Sequence, residues 1–430
     1  MTTIESLYAL YLQHPEVTTD TRQCPVGSIF FALKGANFNG NAFAQKALEN
    51  GCAAALVDEA EYATDSRIVL VDDVLKTLQQ LAAYHRQQLR IPVIQITGTN
   101  GKTTTKELVS CVLSKKFKTL YTQGNLNNHI GVPLTLLRIR PEHEMAVVET
   151  GANHPGEIAQ LCTMVQADYG LITNVGRAHL EGFGSFEGVK TTKGELYDDL
   201  ATRGKSIFLN GFDDDLMEMA SQRQGMQRNY YVEGRVSEVV PFLQVQWRAD
   251  EESPWHTVQT HLVGGYNVAN VRAAITVGLH FGVSPEDIDA ALENYVPTNS
   301  RSELRQTEKN RLVVDAYNAN PTSMAAALQS FDFVEDAHRM VVLGEMRELG
   351  EASEAEHRAV LERLLASKIE TIWLVGECFC KLAPVADQRV CFFQDIEAVK
   401  QHLLEQSVEG RTILIKGSNG TRLYLLPELL

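Results

Sequence analysis

Residues 92–109 read Pro92-Val-Ile-Gln-Ile-Thr-Gly-Thr-Asn-Gly-Lys-Thr-Thr-Thr-Lys-Glu-Leu-Val109, and the architecture of the chain is predicted outward from these residues. The apolar run from Val93 to Ile96 predicts a strand, and a segment with apolar residues at helical spacing follows the glycine turn. A strand, a glycine turn and Lys-Thr at a helix start form the arrangement that cradles phosphate groups. The glycines let backbone N–H groups approach phosphate oxygens, and the helix N-terminus adds positive potential. The stretch therefore predicts a phosphate-binding loop, or P-loop.

The loop departs from the usual spacing, in which four residues separate the glycines. Here two residues separate Gly98 from Gly101, and Ile96 stands where the first glycine is usual. Lys102 can reach the β- and γ-phosphates, and the Thr103 hydroxyl can bind Mg²⁺. The alternative is a tight strand–helix turn with a chance Gly-Lys-Thr. The agreement of strand, turn and helix around the motif favours a variant P-loop.

The composition limits the class of protein. The chain has 430 residues, of which 44% are hydrophobic, and a net charge of −15. Its length predicts two or three domains, and its charge argues against a nucleic-acid groove or an anionic membrane surface as the main partner. Seven cysteines without a paired CxxC framework are typical of reduced cytosolic thiols. With no secretory signal and no long apolar run, we expect a cytoplasmic protein without membrane insertion.

Three residues after the P-loop are candidates for chemistry. The apolar run from Met145 to Val148 predicts a strand ending in Glu149, and an acid at a strand tip beside the P-loop is where a Mg²⁺ ligand belongs. A solvated glutamate is the alternative. His179 follows the next predicted strand in a glycine-rich loop, which favours a site role over a structural histidine. Lys193 lies in a predicted helix start, Thr191 to Tyr197, and is by itself simply a surface lysine.

Polar loops provide weaker signals. Residues 124–135 contain many Asn and Gly, which mark a shaped loop able to orient a ligand without adding charge. Residues 34–43 form a similar loop, but a surface turn explains it at least as well. Asn267 and Asn270 would share one face of a predicted helix, unless Asn267 is only its N-cap.

Strands alternate with helices along most of the chain, which predicts α/β domains with ligands at the carboxyl ends of the strands. We expect a small α/β N-terminal domain (residues 1–88), a central P-loop ATPase α/β domain (89–298) and a C-terminal domain (299–430). The last domain should contain a doubly wound sheet. Alternating residues in 229–260 predict several antiparallel strands within the central domain.

The chain resembles the Mur ligase family over essentially its whole length. The signature Gly98-Thr-Asn-Gly-Lys-Thr-Thr104 is shared by that family and by folylpolyglutamate synthases. Further similar motifs are Gly124-Asn-Leu-Asn-Asn128, Glu149-Thr-Gly-Ala-Asn-His-Pro-Gly-Glu157, Asn174-Val-Gly-Arg-Ala-His-Leu-Glu181, Asp315-Ala-Tyr-Asn-Ala-Asn-Pro-Thr-Ser-Met324, Leu343-Gly-Glu-Met-Arg-Glu-Leu-Gly350 and Lys416-Gly-Ser418. The resemblance implies that the first domain holds the UDP end of a nucleotide sugar and that a Rossmann-like C-terminal domain closes over ATP.

The resemblance also implies a role for individual residues. The ATP-binding set comprises Gly98, Thr99, Asn100, Gly101, Lys102, Thr103, Thr104, Asn267, Asn270, Arg301, Asp315 and Tyr317. The ligands of two Mg²⁺ ions are Thr103, Glu149, His179 and Lys193, the last as a carbamate, and the catalytic residues are Lys102, His179 and Lys193. The substrate-binding set comprises Asp20, Thr21, Arg22, Lys34, Gly35, Asn39, Gly40, Asn125, Asn127, Asn128, Thr150, Asn320 and Ser323.

The activity implied is ATP-dependent amide ligation in peptidoglycan precursor synthesis. The expected substrates are UDP-N-acetylmuramoyl-tripeptide (UDP-MurNAc-tripeptide) and D-alanyl-D-alanine (D-Ala-D-Ala), joined by a monomer whose last domain swings on a hinge near Pro297 to Arg301. Asn419 departs from the family pattern, in which arginine is usual. Two alternatives stay open: another Mur-type or folylpolyglutamate-type carboxylate–amine ligase, and a nucleotide-dependent switch or binding module without chemistry.

Overall fold

A computed structural model describes residues 3–298 and 301–430. Each of the three expected domain ranges contains a main sheet of its own. The N-terminal elements are α1 (Ile4–Gln13), β1 (Val17–Thr18), β2 (Ile29–Phe31), β3 (Lys34–Gly35), β4 (Phe38–Asn39), α2 (Ala44–Glu49), β5 (Ala54–Val57), β6 (Ile68–Leu70) and α3 (Val74–Gln88), with short 3₁₀ helices at Gly40–Phe43 and Ala60–Tyr62. Four of these strands form a parallel sheet in the order β1-β2-β5-β6.

The central part is larger and begins with the P-loop strand. Its elements are β7 (Val93–Thr97), α4 (Lys102–Leu113), β8 (Thr119–Tyr121), α5 (Gly131–Leu136), β9 (Met145–Glu149), α6 (Glu157–Val165), β10 (Tyr169–Ile172), α7 (Leu180–Phe183), α8 (Phe186–Thr202), β11 (Ser206–Leu209), α9 (Asp214–Ser221), β12 (Gln227–Tyr230), β13 (Glu233–Glu238), β14 (Gln244–Arg248), β15 (His256–Gln259), a 3₁₀ helix (Gly265–Asn267), α10 (Val268–His280) and α11 (Pro285–Asn294). The parallel sheet has the order β12-β11-β10-β7-β9-β8, and β13-β14-β15 form the antiparallel sheet predicted for residues 229–260.

The strand order places the candidate residues at one edge. β7, which leads into the P-loop, lies between β9 and β10, and Glu149 is in register with Ile96. Because parallel strands all end at the same side, the ends of β9 and β10 meet the P-loop there. One local expectation was wrong. Thr191 to Tyr197 lie in the middle of α8, not at its start, so Lys193 lies inside the domain rather than at its surface.

The C-terminal part repeats the α/β pattern. Its elements are β16 (Glu303–Gln306), β17 (Arg311–Asp315), α12 (Pro321–Phe331), β18 (Arg339–Gly344), α13 (Ser353–Leu365), β19 (Thr371–Val375), α14 (Glu377–Cys380), β20 (Val390–Phe393), α15 (Ile396–Glu405) and β21 (Thr412–Lys416), with 3₁₀ helices at Gly350–Ala352, Asn419–Thr421 and Leu423–Glu428. The sheet order is β16-β17-β21-β18-β19-β20, with only β16 antiparallel among its strands. Among the described residues, no helix has both the length and the hydrophobicity needed to cross a membrane.

The P-loop helix α4 is held by close packing on α10. Gly278 lies inside α10, and a Cβ atom there would stand 2.5 Å from Val112 Cγ1 and 3.0 Å from Ile288 Cδ1. These neighbours are fully buried, so they have little room to move. The absence of a side chain at Gly278 therefore sets how near the two helices come.

Gly278→Ala is expected to destabilise the protein, although alanine usually favours a helix interior over glycine. We expect the free energy of unfolding to fall by about 1–3 kcal/mol, because the new methyl group overpacks a core that is already full. Denaturation followed by circular dichroism measures the change. In a Val112→Ala background the same substitution should cost less, and a gain in stability from Gly278→Ala alone would contradict the packing argument.

Candidate active site

The P-loop lies between the end of β7 and the start of α4, and two glycines shape it. Gly98 and Gly101 have φ of +140° and +77°, which side chains with a Cβ atom rarely adopt. A Cβ atom would also stand 2.1 Å from Thr173 Oγ1 at Gly98, and 2.7 Å from Asn270 Oδ1 at Gly101. Both positions therefore require glycine, and the loop leaves the N-terminus of α4 facing a cleft.

Lys102 is the cation of this loop. Its Nζ donates to the carbonyl oxygens of Gly98 and Thr99 at 2.8 and 2.9 Å. Removal from water lowers the pKa of Lys102 to about 8, and the nearby Glu149 carboxylate opposes that shift. A bound phosphate would raise this pKa again, because opposite charge favours the ammonium form.

The end of β10 braces the P-loop from the side, which the sequence did not indicate. The Asn100 N–H donates to Asn174 Oδ1 at 3.0 Å. In return, Thr173 Oγ1 and Asn174 Nδ2 donate to the Asn100 carbonyl at 2.6 and 3.0 Å. These contacts fix the middle of the loop. Asn174 begins one of the quoted sequence motifs, and its position shortly after a strand was the signal for such a role.

Glu149 lies at the end of β9, next to the first residues of α4. Thr103 Oγ1 donates to Glu149 Oε1 at 3.2 Å, and Asn127 Nδ2 donates to the same oxygen at 2.7 Å. The second oxygen, Glu149 Oε2, is buried and has no hydrogen-bond partner among the described residues. A carboxylate oxygen with free lone pairs beside a hydroxyl fits a Mg²⁺ ion, which usually takes one or two carboxylates and completes its shell with phosphate and water.

The described part of the chain holds no cluster of three or more His, Cys, Asp or Glu side chains arranged to bind a metal by themselves. The fit to Mg²⁺ at Thr103 and Glu149 thus depends on oxygens that a phosphate would supply.

His179, directly before α7, and Lys193, within α8, lie on the side of the cleft formed by these two helices. His179 has φ of +50°, lines the cleft and pairs through Nδ1 with the carboxylate of Glu348 from the C-terminal domain. Lys193 is only 2% exposed and lies behind the cleft wall, where its Nζ donates to the Ala152 carbonyl at 3.4 Å. Burial lowers the pKa of Lys193 to about 7, with a further decrease from the charge of Lys102.

Asn267 and Asn270 form a buried hydrogen-bonded pair at the start of α10. Asn270 Nδ2 donates to Asn267 Oδ1 at 2.8 Å, and Thr105 Oγ1 donates to Asn270 Oδ1 at 3.0 Å. Asn267 Nδ2 in turn donates to the Val263 carbonyl at 2.9 Å. Both asparagines line the cleft, and the hydrogen bond from Thr105 connects the pair to the P-loop helix α4.

The C-terminal domain contributes a second group of residues to the cleft. Arg301 lies over the Tyr317 ring, with 3.7 Å between its guanidinium carbon and the ring centroid. Lys416 Nζ, which is buried, pairs with Asp315 Oδ2 at 2.6 Å and thereby fixes the end of β17 beside β21. A pocket of about 540 Å³ contains Arg301, Asp315, Tyr317 and Lys416 together with the P-loop.

Direct hydrogen bonds dock the C-terminal domain on the P-loop side of the central domain. Asn320 Nδ2 donates to Asn100 Oδ1 at 2.8 Å, and the Arg177 N–H donates to Thr322 Oγ1 at 3.0 Å. The Glu181 N–H also donates to the Glu348 carbonyl at 3.3 Å. The domains therefore enclose the cleft. The hinge expected near Pro297 to Arg301 includes residues 299 and 300, which lie outside the described residues.

The expected substrate-binding residues fall into two groups. Asn125, Asn127, Asn128 and Ser323 line the cleft, and Asn320 touches it through Asn100. Thr150 does not line it: the side chain is fully buried, and its Oγ1 accepts from Gln95 Nε2 at 3.1 Å. The Thr150 side chain thus lies in the core, between the cleft residues Glu149 and Gly151, and its role in substrate binding stays a prediction.

The residues of the N-terminal domain lie outside this cleft. Asp20 and Arg22 pair with each other at 2.7 Å near the Thr21 turn, and Lys34 pairs with Asp58 at 2.9 Å. Asn39 Oδ1 caps a short 3₁₀ helix by accepting from the Asn41 N–H at 3.0 Å. Gly40 needs to be glycine, because a Cβ atom would stand 2.3 Å from the Leu33 carbonyl oxygen, whereas Gly35 is unconstrained.

A second cleft of about 530 Å³ joins the first one above the P-loop helix. Thr103, Asn125, His179, Arg301, Tyr317 and Asn318 line both clefts. The walls found in the second cleft alone include Arg347, Glu348 and Asn419. Arg347 and Glu348 belong to a quoted sequence motif and Asn419 directly follows another, but only the folded chain shows that the loop after β18 faces His179.

The chain is also similar to known proteins along most of its length. Three family models match the chain: "Mur ligase family, catalytic domain" over residues 15–86, "Mur ligase middle domain" over residues 96–278 and "Mur ligase, glutamate ligase domain" over residues 300–419. The UDP-N-acetylmuramoyl-tripeptide–D-alanyl-D-alanine ligase of Bacillus subtilis (strain 168) is 35% identical over 95% of this chain and 91% of its own length.

Two solved structures share the fold over nearly the full chain. A crystal structure of MurF from Acinetobacter baumannii has a TM-score of 0.83 at 32% identity, covering 96% of this chain and 92% of its own. MurF from Thermotoga maritima in complex with ADP has a TM-score of 0.84 at 25% identity, covering 97% of both chains. With this identity over nearly the entire length, the chain belongs to the Mur ligase family.

Proposed function

We propose that this protein is an ATP-dependent ligase that joins D-Ala-D-Ala to UDP-MurNAc-tripeptide and so forms the UDP-MurNAc-pentapeptide precursor of peptidoglycan. The observation that carries the proposal is the meeting of two clefts above Thr103, between a P-loop and a docked C-terminal domain. One cleft can hold ATP beside a carboxylate substrate, and the other can deliver an amine to the same point. The 35% identity to a relative that bears this name favours this ligase over other carboxylate–amine ligases.

The reaction has two steps, formation of an acyl phosphate and its attack by an amine. The terminal carboxylate of the tripeptide attacks the γ-phosphorus of ATP, and ADP leaves, which gives an acyl phosphate. The amine of D-Ala-D-Ala then attacks the acyl carbon, loses a proton, and expels inorganic phosphate from the tetrahedral intermediate. A binding module would need only the phosphate cradle. Glu149, whose Oε2 has no hydrogen-bond partner among the described residues, is suited to hold the Mg²⁺ that phosphoryl transfer requires.

The residues of the first cleft take defined roles in this proposal. The P-loop backbone and Lys102 hold the phosphates and offset the negative charge that builds on them. Mg²⁺, held by Thr103 and Glu149 and at a second site by His179 and carbamylated Lys193, would supply further charge neutralisation. Asn267, Asn270, Asp315 and Tyr317 would orient the nucleoside.

Closure of the cleft by the C-terminal domain would protect the acyl phosphate intermediate. Water would hydrolyse an acyl phosphate, so the cleft has to exclude water before that species forms. The contacts of Asn320 with Asn100 and of Glu348 with His179 close the cleft along the P-loop side. The polar loop of the N-terminal domain, which includes Lys34 and Asn39, would bind the UDP end of the substrate. We also place the enzyme in the cytoplasm as a monomer.

Phosphate release tests the proposal. The assay combines UDP-MurNAc-tripeptide, ATP and Mg²⁺ with or without D-Ala-D-Ala, and mass spectrometry identifies the product. We expect release to require both substrates and the product to be the pentapeptide. Release with a different amine would assign another member of the family, and ATP binding without any release would favour the binding-module alternative.

Lys102→Ala should abolish ADP release, with a loss of at least about 1,000-fold in kcat, because the Lys102 ammonium no longer stabilises the negative charge on the transferred phosphoryl group. Lys115→Ala is the matched control, since Lys115 is exposed just beyond the end of α4. Coupled-enzyme detection of ADP measures both variants. Near-normal turnover of Lys102→Ala would rule out the P-loop role.

Lys193 should carry a carbamate in the active enzyme. After incubation with ¹³C-bicarbonate, we expect a carbamate signal in the ¹³C NMR spectrum that is absent from Lys193→Gln and kept in Lys190→Gln, which changes a lysine on the same helix. Lys193→Gln should also lose at least about 100-fold in kcat, because a ligand of the second Mg²⁺ is gone. An unchanged spectrum in Lys193→Gln would disprove the modification at this residue.

The C-terminal domain should move during the cycle. We expect small-angle X-ray scattering to give a smaller radius of gyration once a non-hydrolysable ATP analogue and UDP-MurNAc-tripeptide are added, because ligands bound between domains favour the closed form. Identical scattering curves with and without these ligands would argue against a hinge at residues 297–301.

A further inference from the structure

Ser302, the residue directly after Arg301, has an unusual backbone conformation. Its φ is +53°, in the left-handed region that residues other than glycine seldom adopt. The residue is buried, so its neighbours leave it little room to change conformation. A serine in this conformation costs free energy, and such a residue persists only where the surrounding structure holds it. The turn at Ser302 therefore links the direction of Arg301 to the groups that hold Ser302.

Three hydrogen bonds from the segment before α10 hold Ser302. Tyr266 OH and Ser302 Oγ lie 2.9 Å apart, and Asn267 Nδ2 donates to the same Oγ at 3.2 Å. The Val263 N–H donates to the Ser302 carbonyl at 3.2 Å. Tyr266 and Asn267 both line the cleft that contains the P-loop. The residue after Arg301 is thus fastened to the central domain, beside the asparagine pair at the start of α10.

Arg301 lies on the phosphate side of the same cleft. Burial is the main cause of the lowered pKa of Lys102, and the charge of Arg301 lowers this pKa further, so the two cations lie near each other. Arg301 Nε is buried and has no hydrogen-bond partner within residues 3–298 and 301–430. The Tyr317 ring covers the guanidinium on one side. A planar guanidinium with an unused N–H beside a lysine is suited to phosphate oxygens.

The hydroxyl group of Tyr266 connects these two observations. An arginine side chain is long and flexible, so a guanidinium reaches a fixed point reliably only if its backbone is held. The hydroxyl and amide groups that bond Ser302 Oγ are neutral, so they hold this backbone without pairing with the guanidinium. We infer that Tyr266, acting through Ser302, is a positioning residue that directs Arg301 to the phosphates of the nucleotide. The inference rests on the proposed function only in taking ATP as the ligand of this cleft.

Tyr266→Phe isolates this role from the nucleoside side of the cleft. The variant keeps the ring, and with it the cleft wall, and removes only the hydroxyl group that contacts Ser302. Asn267 keeps its hydrogen bonds to the Val263 carbonyl and to Asn270 in that variant. A weaker affinity for ATP would therefore come from the turn at Ser302.

A double-mutant cycle with Tyr266→Phe and Arg301→Met tests the inference, because it measures whether the two residues act together. Isothermal titration calorimetry gives the Kd of the full chain for a non-hydrolysable ATP analogue with Mg²⁺. We expect Arg301→Met to raise this Kd about 10- to 100-fold, as for one charge-assisted hydrogen-bonded pair, and Tyr266→Phe to raise it about 5- to 20-fold. The double variant should bind no more than about twofold more weakly than Arg301→Met alone.

Tyr11→Phe is the matched control, since it also removes a buried tyrosine hydroxyl, one that donates to the Leu137 carbonyl at 2.8 Å where the N-terminal and central domains meet. Its Kd should stay within about twofold of the unchanged protein. Ser302→Ala removes the other partner of the Tyr266 hydroxyl and should show the same loss, again without a further effect in the Arg301→Met background.

Two results would overturn the inference: an unchanged Kd in Tyr266→Phe, or losses that multiply in the double variant, as a purely structural role predicts. The measurement needs no turnover, so it is independent of the amine substrate. Absence of phosphate release would refute the proposed ligase function and leave this test intact, whereas an unchanged protein that does not bind the analogue would refute the ATP site and the inference together.

Discussion

The P-loop backbone is in close contact with the ends of two neighbouring elements, and this contact shapes the whole candidate active site. A phosphate cradle needs exposed backbone N–H groups, and such groups hold their direction only if the loop is fixed from behind. Thr173 and Asn174 fix it from β10, and Asn270 fixes it from α10. Gly98 and Gly101 are required at these contacts because any Cβ atom would collide with the residues that hold the loop.

The same arrangement explains why the site lies between domains. The central sheet delivers Thr103, Glu149 and His179 to one edge, but this edge is open towards solvent unless another domain covers it. The C-terminal domain covers it through a few polar contacts, such as that between Asn320 and Asn100. Polar contacts of this kind are exchanged for water at modest cost, so a docked domain can also leave. A site that must admit three substrates and still exclude water needs a domain that can both cover the cleft and move away from it.

Much of the site could be predicted from the sequence because its signals are local. Glycines, Lys102 and Thr103 lie within one short stretch, Glu149 ends an apolar strand, and His179 lies in the glycine-rich loop after the next strand. Lys193 shows the limit of this reasoning: its neighbours along the chain suggest a surface helix, whereas packing of α8 on the sheet buries it. Thr150 is a second example: its position beside Glu149 suggests a substrate-binding residue, whereas its side chain is buried in the core.

Local sequence was enough to predict the α/β class, the P-loop and the identity of the residues at its strand ends, because a strand followed by a glycine turn and a helix is specified by neighbouring residues. Folding alone shows which strand ends are adjacent, that Glu348 meets His179, and that Arg347 lines a second cleft. These facts depend on strand order and on the docking of one domain against another. Both are set by contacts between residues far apart in the chain, and no local pattern records them.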